Sequence, residues 1–295
     1  MNSARTLELL QSPDASARIA GLRALTTTSV ADGTVVTLLA EILQSADVDT
    51  RYATVQFLIK AAGEGRDLTP IIPLLHQLFT DQRFPSHLAK AQNGAFTVGA
   101  QAASAIALSH FRRGEVEALQ MLATHSGWVG WTAIHALSAA KTAAELEPFL
   151  PWLQKMLAGA DDEAENRAPA RKKVVAGALL HAYWLKQEWD LMGELLYHRD
   201  EAVRLGALSA LDDLVEGGEE IQPLLPTLLA LFERPEADFA ATRRAAARVL
   251  VWFKTKAKKG TKRLVLGSVD ILQIPEVKAE IAELAKLVSA HRHDA

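Results

Sequence analysis

A short proline-led phrase recurs three times along the chain and restricts its fold more than any other feature. The copies begin at Pro70, Pro148 and Pro223, at spacings of 78 and 75 residues, and each carries a second proline three residues later. Proline suits the first turn of a helix, because the first four N–H groups of a helix have no acceptor within it. The spacing is about twice the length of the helix pairs that stack in solenoid proteins. The phrase therefore predicts an array of helical repeats.

A second pattern places Asp four residues before Arg, on the helix expected to follow each leucine-rich helix. It occurs as Asp14 and Arg18, Asp47 and Arg51, Asp200 and Arg204, and, with one extra residue, Asp238 and Arg243. Small and apolar residues follow each Arg at offsets of three, six and seven, which share one face of a helix. Weaker copies without the Arg are anchored at Gln101, at Gly130 and near Lys172. The seven anchors predict seven helical hairpins.

These patterns predict an all-α protein, a right-handed α–α superhelix of about seven hairpins over residues 1–255. Residues 256–263 are predicted to form a basic loop. Six of the ten residues from Lys254 to Arg263 are Lys or Arg, and like charges resist ordering, so we expect this whole stretch to be mobile. Residues 264–295 are predicted to end the same domain with a capping helix, because a terminal repeat needs a polar outer side. The apolar face of that helix carries Val277, Ile281, Leu284, Leu287 and Val288.

The two patterns together resemble the HEAT-repeat family of armadillo-type α-solenoids, and within it the short HEAT-like bacterial units found in phycobilin lyases. One copy reads Asp200-Glu-Ala-Val-Arg204-Leu-Gly-Ala-Leu-Ser-Ala-Leu211, and the resemblance covers roughly residues 3 to 255. It implies that Asp and Arg form a structural ladder between adjacent repeats, so that Arg18, Arg51, Arg204 and Arg243 are structural. It also implies that partners bind on a concave side lined by the second helix of each hairpin.

Two rows of residues on these second helices point away from the predicted core, at offsets one and five from each anchor. We call them the helix track. Offset one reads Ile19, Tyr52, Ala102, Trp131, Lys173, Leu205 and Arg244. Offset five reads Arg23, Gln56, Ile106, His135, Gly177, Ser209 and Arg248. Neither row contains a carboxylate, so the helix track is expected to be locally positive although the chain has a net charge of −3.

The residues predicted to bind a partner are Tyr52, Gln56, Trp131, His135, Lys173, Arg244 and Arg248. Aromatic area beside cationic groups is typical of hot spots in protein interfaces. Trp128, Trp131 and His135 form the densest local group, which could stack a base, a peptide ring or a tetrapyrrole. Packing between successive helices is the alternative role for the aromatic residues, and a solvated face is the alternative for the basic ones.

The leading hypothesis is a non-enzymatic scaffold or adaptor whose partner is a protein with an acidic and apolar surface. No catalytic residue, metal ligand or cofactor is predicted, since the chain has no cysteine, no paired His-Glu motif and no glycine-rich phosphate loop after a strand. No apolar run is long enough to span a bilayer, so we expect a cytoplasmic protein without membrane contact.

Nucleic acid is the alternative partner, through a resemblance to HEAT-like alkylpurine DNA glycosylases. The resemblance implies a positive groove with aromatic residues and a carboxylate that stabilises a sugar cation. The helix track lacks that carboxylate, and Asp212 and Asp213 lie further along their helix. Bilin handling, suggested only by the type of repeat, is a third hypothesis.

Overall fold

The computed structural model of the protein is all-helical over the residues it describes, which are 3–45, 47–80, 97–125, 128–159, 168–256 and 275–293. The prediction of an all-α fold is confirmed. The chain divides into two compact units, Met1–Ala140 and Lys141–Ala295.

The first unit is a series of short helices that pack in consecutive pairs. Its helices are α1 Ser3–Leu10, α2 Ala15–Ala24, α3 Gly33–Leu43, α4 Val48–Gly63, α5 Ile72–Thr80, α6 Val98–Arg112, α7 Val116–Ala123 and α8 Trp128–His135, with 3₁₀ turns at Thr27–Ala31 and Ala136–Ala139. Each odd-numbered helix packs on the helix that follows it. The even-numbered helices also pack on one another in the order α2, α4, α6, α8, so they form one layer.

The second unit repeats this arrangement. Its helices are α9 Ala143–Leu146, α10 Leu150–Gly159, α11 Ala168–Lys186, α12 Trp189–Leu196, α13 Glu201–Gly217, α14 Leu225–Glu233, α15 Ala240–Lys256 and α16 Pro275–His293, with 3₁₀ turns at Glu147–Phe149, Gln222–Leu224 and Ala237–Phe239. Here α10 packs on α11, α12 on α13 and α14 on α15. The layer of second helices runs α11, α13, α15, α16.

The recurring prolines lie where the phrase predicts them. Pro73, Pro151 and Pro226 each occupy the second residue of a helix, in α5, α10 and α14. Pro148 and Pro223 lie one turn earlier, inside the 3₁₀ turns that lead into α10 and α14. At these positions the missing N–H removes no hydrogen bond within the helix, so the prolines fix where these first helices begin.

The second helices of the second unit approach one another closely at one glycine. A Cβ atom placed on Gly206 of α13 would lie 2.1 Å from the carbonyl oxygen of Lys173 in α11. At the same crossing Gly177 of α11 lies close to α13, since a Cβ atom placed on Gly177 would lie 3.4 Å from the Gly206 carbonyl oxygen. Only glycine permits this backbone contact at position 206, so the small residues of the repeat set the distance between neighbouring hairpins.

The C-terminal end of the fold differs in part from the prediction. Helix α16 packs on α14 and α15 and buries Val277, Ile281 and Leu284, as the apolar pattern predicted. Lys254, however, is not part of a mobile loop. It lies in α15, and its ammonium group contacts the carboxylates of Glu280 and Glu283 in α16. Thr255 and Lys256 also lie in α15, which ends at Lys256. The remaining residues predicted as the basic loop, 257–263, lie outside the described residues.

Candidate protein-binding surface

The repeated Asp and Arg have separate local roles that explain their spacing. Asp14, Asp47 and Asp200 are the N-cap residues of α2, α4 and α13, where their carboxylates accept hydrogen bonds from backbone N–H groups of the first turn. Arg18 and Arg204, one turn further on, reach back to the loop before the cap. Each donates from Nη1 to the carbonyls six and five residues earlier. In α2 and α13 the pattern therefore joins a second helix to its own hairpin loop.

Arg204 also joins two hairpins of the second unit. Its Nε donates to Thr242 Oγ1 at 3.0 Å, and its Nη2 donates to the Asp238 carbonyl at 3.1 Å. The guanidinium lies over the ring of Phe239, 4.1 Å from its centroid, while Arg234 lies near the same ring at 4.7 Å. Arg204 is only 2% exposed. The prediction that this arginine is structural is confirmed.

A cation–carboxylate pair also connects consecutive repeats in the second unit. Lys172, which stands at the anchor where Arg is absent, pairs with Asp200 of the next hairpin at 2.7 Å. Burial opposes ionisation of Asp200, but hydrogen bonds from Lys172 and from the backbone of the first turn of α13 hold the pKa of its carboxyl below the ordinary value. Asp47 behaves alike: burial opposes its ionisation, yet hydrogen bonds from Thr50 and the charge of Arg18 lower its pKa.

In the first unit the helix track is exposed on α4 and α8 but not on α6. Tyr52 and Trp131 are half-buried, and Gln56 and His135, one turn after each, are exposed. Ala102 and Ile106 were predicted to point away from the core, and this is wrong, since both are fully buried.

On α6 the residue that contacts the helix track is Gln101, since Gln56 Nε2 donates a hydrogen bond to its Oε1 at 2.6 Å. The repeat anchor assigned to α6 was therefore out of register.

In the second unit the helix track is exposed at Lys173 on α11 and at Arg244 and Arg248 on α15. Arg248 pairs with Asp212 of α13, with 2.9 Å between Nε and Oδ2. The expectation of a surface without carboxylates is therefore wrong at this point, because helix packing brings Asp212 beside the track. The pair reduces the local positive charge and fixes the position of one predicted binding residue.

The predicted binding residues thus fall into two groups, one in each unit. Tyr52 with Gln56, Trp131 with His135, and Arg244 with Arg248 form three pairs, each one helical turn apart, while Lys173 stands alone on α11. Sequence reasoning did not place Gln101 and Asp212 beside the helix track. Asp212 lies seven residues after Leu205 of the track, where a helix returns nearly to the same face, and this spacing could have identified it. The side chain of Trp128 lies outside the described part of the structure.

Two features are absent from the described residues. No helix among them has both the length and the apolar character needed to cross a bilayer. No three His, Asp or Glu side chains in the same part of the chain are grouped so that they could hold a metal ion.

Comparisons with known proteins do not show which family the chain belongs to. No family model matches the chain, and no curated protein matches it. An X-ray structure of YibA from E. coli, a structural genomics target, is 16% identical, with a TM-score of 0.38 over 97% of this chain and 93% of that one. A crystal structure of an engineered protein is also 16% identical, with a TM-score of 0.33 over 97% of this chain and 72% of the other.

Proposed function

We propose that the protein is a non-enzymatic scaffold or adaptor of the HEAT-like type, which binds a protein partner through the helix track. The observation that supports this most is a contrast between neighbouring residues on α11 and α13. The anchor cation is tied into the fold at Arg204 and Lys172, while the next position on the track is half-exposed at Leu205 and exposed at Lys173. On these two helices the track side chains lie on a packed layer and are open to solvent at least in part.

The chemistry of the track fits a partner with an acidic and apolar surface. Tyr52 and Trp131 offer rigid aromatic area that loses little conformational entropy on binding. Lys173, Arg244 and His135 offer cationic or hydrogen-bond donor groups at the solvent side. A partner carboxylate beside these groups and an apolar side chain over the rings would match both features.

The finer features of the fold belong to the same proposal. A HEAT-type array explains why first and second helices alternate in both units, with the layers α2–α4–α6–α8 and α11–α13–α15–α16. The proposal includes the arrangement of the helices as one right-handed superhelix of about seven hairpins. A cytoplasmic location without membrane contact is also part of the proposal.

Site-specific photo-cross-linking in the native host tests this function. A photoreactive amino acid at Gln56 or Arg244 should capture the same protein from both units, because both positions lie on the track. The controls are Gln77 on α5 and Asp190 on α12, which are exposed on first helices. Equal capture at track and control positions would contradict a binding surface on the second helices.

The captured protein then permits a quantitative test with purified components. Arg244→Ala should weaken its affinity by at least about tenfold if this cation is a hot spot. Lys155→Ala is the matched control, because Lys155 is an exposed cation on the first helix α10. Trp131→Ala separates binding from packing. A loss of affinity at an unchanged melting temperature indicates a contact, and a large fall in melting temperature indicates packing between helices.

Nucleic acid stays as the alternative partner because of one observation. Asp212 provides, beside Arg248, the carboxylate that the track was expected to lack. Fluorescence anisotropy with duplex DNA over a range of salt concentrations decides between the two. Binding that persists at physiological salt, weakens steeply with added salt and is lost in Arg244→Ala would favour this alternative over the protein scaffold.

A further inference from the structure

A cleft of about 340 Å³ opens in the second unit between the hairpin α10–α11 and the hairpin α12–α13. Its volume falls in the range of small-molecule sites. The apolar part of its lining, which we call the leucine side, includes Leu157, Leu179, Leu191 and Leu195. None of the residues proposed to bind a protein partner lines it, so the cleft is a site apart from the helix track.

Tyr183 supplies a hydrogen-bond donor at this cleft. The residue is only 7% exposed, and its hydroxyl oxygen accepts a hydrogen bond from Gln154 Nε2 at 3.3 Å. Both side chains line the cleft. A hydroxyl group can also donate its own proton, and no described residue accepts this one. A hydrogen-bond donor on a buried residue is stabilised when an acceptor pairs with it. A ligand that enters from the open side of the cleft can provide that acceptor.

His198 supplies a second donor. The backbone N–H of Asp200 donates to Nδ1 of His198 at 3.1 Å, so the neutral imidazole carries its proton on Nε2. The charged groups that line the cleft cancel. Lys172 is paired with Asp200 at 2.7 Å, and Arg199 and Glu194 have opposite signs. The lining therefore favours neither an anion nor a cation.

We propose that this cleft binds a small uncharged ligand with an apolar body and a carbonyl-type acceptor. The apolar body lies against the leucine side, and the acceptor receives the hydroxyl proton of Tyr183. A ligand of this class satisfies the buried donor without bringing an uncompensated charge to the Lys172–Asp200 pair.

Three probes with the same apolar chain and different head groups test the class. Hexanamide carries an uncharged acceptor, hexanoate an anion and hexylamine a cation. We expect hexanamide to bind the full chain saturably in an NMR chemical-shift titration, and the two charged probes to bind about tenfold more weakly. Absence of saturable hexanamide binding, or equal affinity for all three probes, would overturn the proposal.

Variants of the same chain locate the site. Tyr183→Phe keeps the ring and removes only the hydroxyl, so it should weaken hexanamide binding about tenfold. Ala158→Trp places a large side chain at the cleft from an exposed position of α10 and should abolish binding. Lys155→Trp, exposed on the same helix but outside the cleft, is the matched control. Hexanamide binding that is unchanged by Tyr183→Phe or by Ala158→Trp would show that it binds elsewhere.

Discussion

Replacing Arg204 by Ala removes a buried side chain that connects two hairpins of the second unit. Its guanidinium makes four hydrogen bonds, three of them to backbone carbonyls at His198, Arg199 and Asp238, and it is 2% exposed. The carbonyls remain after the substitution and lose their donors. A buried acceptor that loses its donor costs about 1–3 kcal/mol, and three carbonyls are affected, so we expect a loss of about 3 kcal/mol or more in the free energy of unfolding.

Urea denaturation followed by far-UV circular dichroism measures this loss. Arg204→Met retains most of the side-chain volume but supplies no donor, so it should lose nearly as much stability as Arg204→Ala. Arg243→Ala is the matched control. It occupies the same repeat position, is half-buried and donates one recorded hydrogen bond, to the Phe232 carbonyl, so we expect a loss of about 1 kcal/mol. If Arg204→Met were as stable as the parent chain, packing volume and not hydrogen bonding would explain the burial of this arginine, and our reasoning would fail.

Three further predictions concern single positions in the second unit. Gly206→Ala should destabilise the fold by about 2 kcal/mol or more, because its Cβ would lie 2.1 Å from a backbone oxygen. Gly193→Ala should stabilise the fold by about 0.5–1 kcal/mol, because its Cβ meets nothing within 4 Å. Hydrogen bonds from Lys172 and the backbone hold the pKa of the Asp200 carboxyl below its ordinary value, so its contribution to stability is complete above the unfolded pKa and is lost as the pH falls through the folded pKa. Asp200→Asn keeps the N-cap but weakens the contact with Lys172, so it should remove this part of the acid sensitivity in urea titrations at several pH values. Arg248→Ala should change the free energy of unfolding by less than about 1 kcal/mol, since the Arg248 side chain is 45% exposed in its ion pair with Asp212.

Each of these has an outcome that contradicts it. Equal effects of Ala at Gly206 and Gly193 would mean that the two second helices separate freely at their crossing. Identical acid unfolding of Asp200→Asn and the parent chain would remove the carboxyl from the account of pH stability. A loss of several kcal/mol in Arg248→Ala would show that its ion pair is a core interaction, and the residue would leave the binding surface.

The local features of the fold could be read from the chain because their causes are local. Proline in the first turn, Asp at the N-cap and apolar residues on one face all act within a few residues of themselves. They identify α5, α10 and α14 as first helices and α2, α4 and α13 as second helices. The reach of Arg18 and Arg204 back to their own loops is equally local, and so the Asp–Arg spacing was a reliable signal.

Which face of a helix meets solvent was decided by its neighbours. Helix α6 is rich in Ala and has small residues on every side, so its periodicity does not define a core side. Packing against α4, α5, α7 and α8 buries Ala102 and Ile106. Asp212 reaches Arg248 only because α13 and α15 cross at that point. The sequence by itself determined the helices, their order and their caps, since these depend on hydrogen bonds within a turn. The tertiary structure alone decided the charge of the exposed surface and the cleft at Tyr183, because both arise from side chains far apart in the chain.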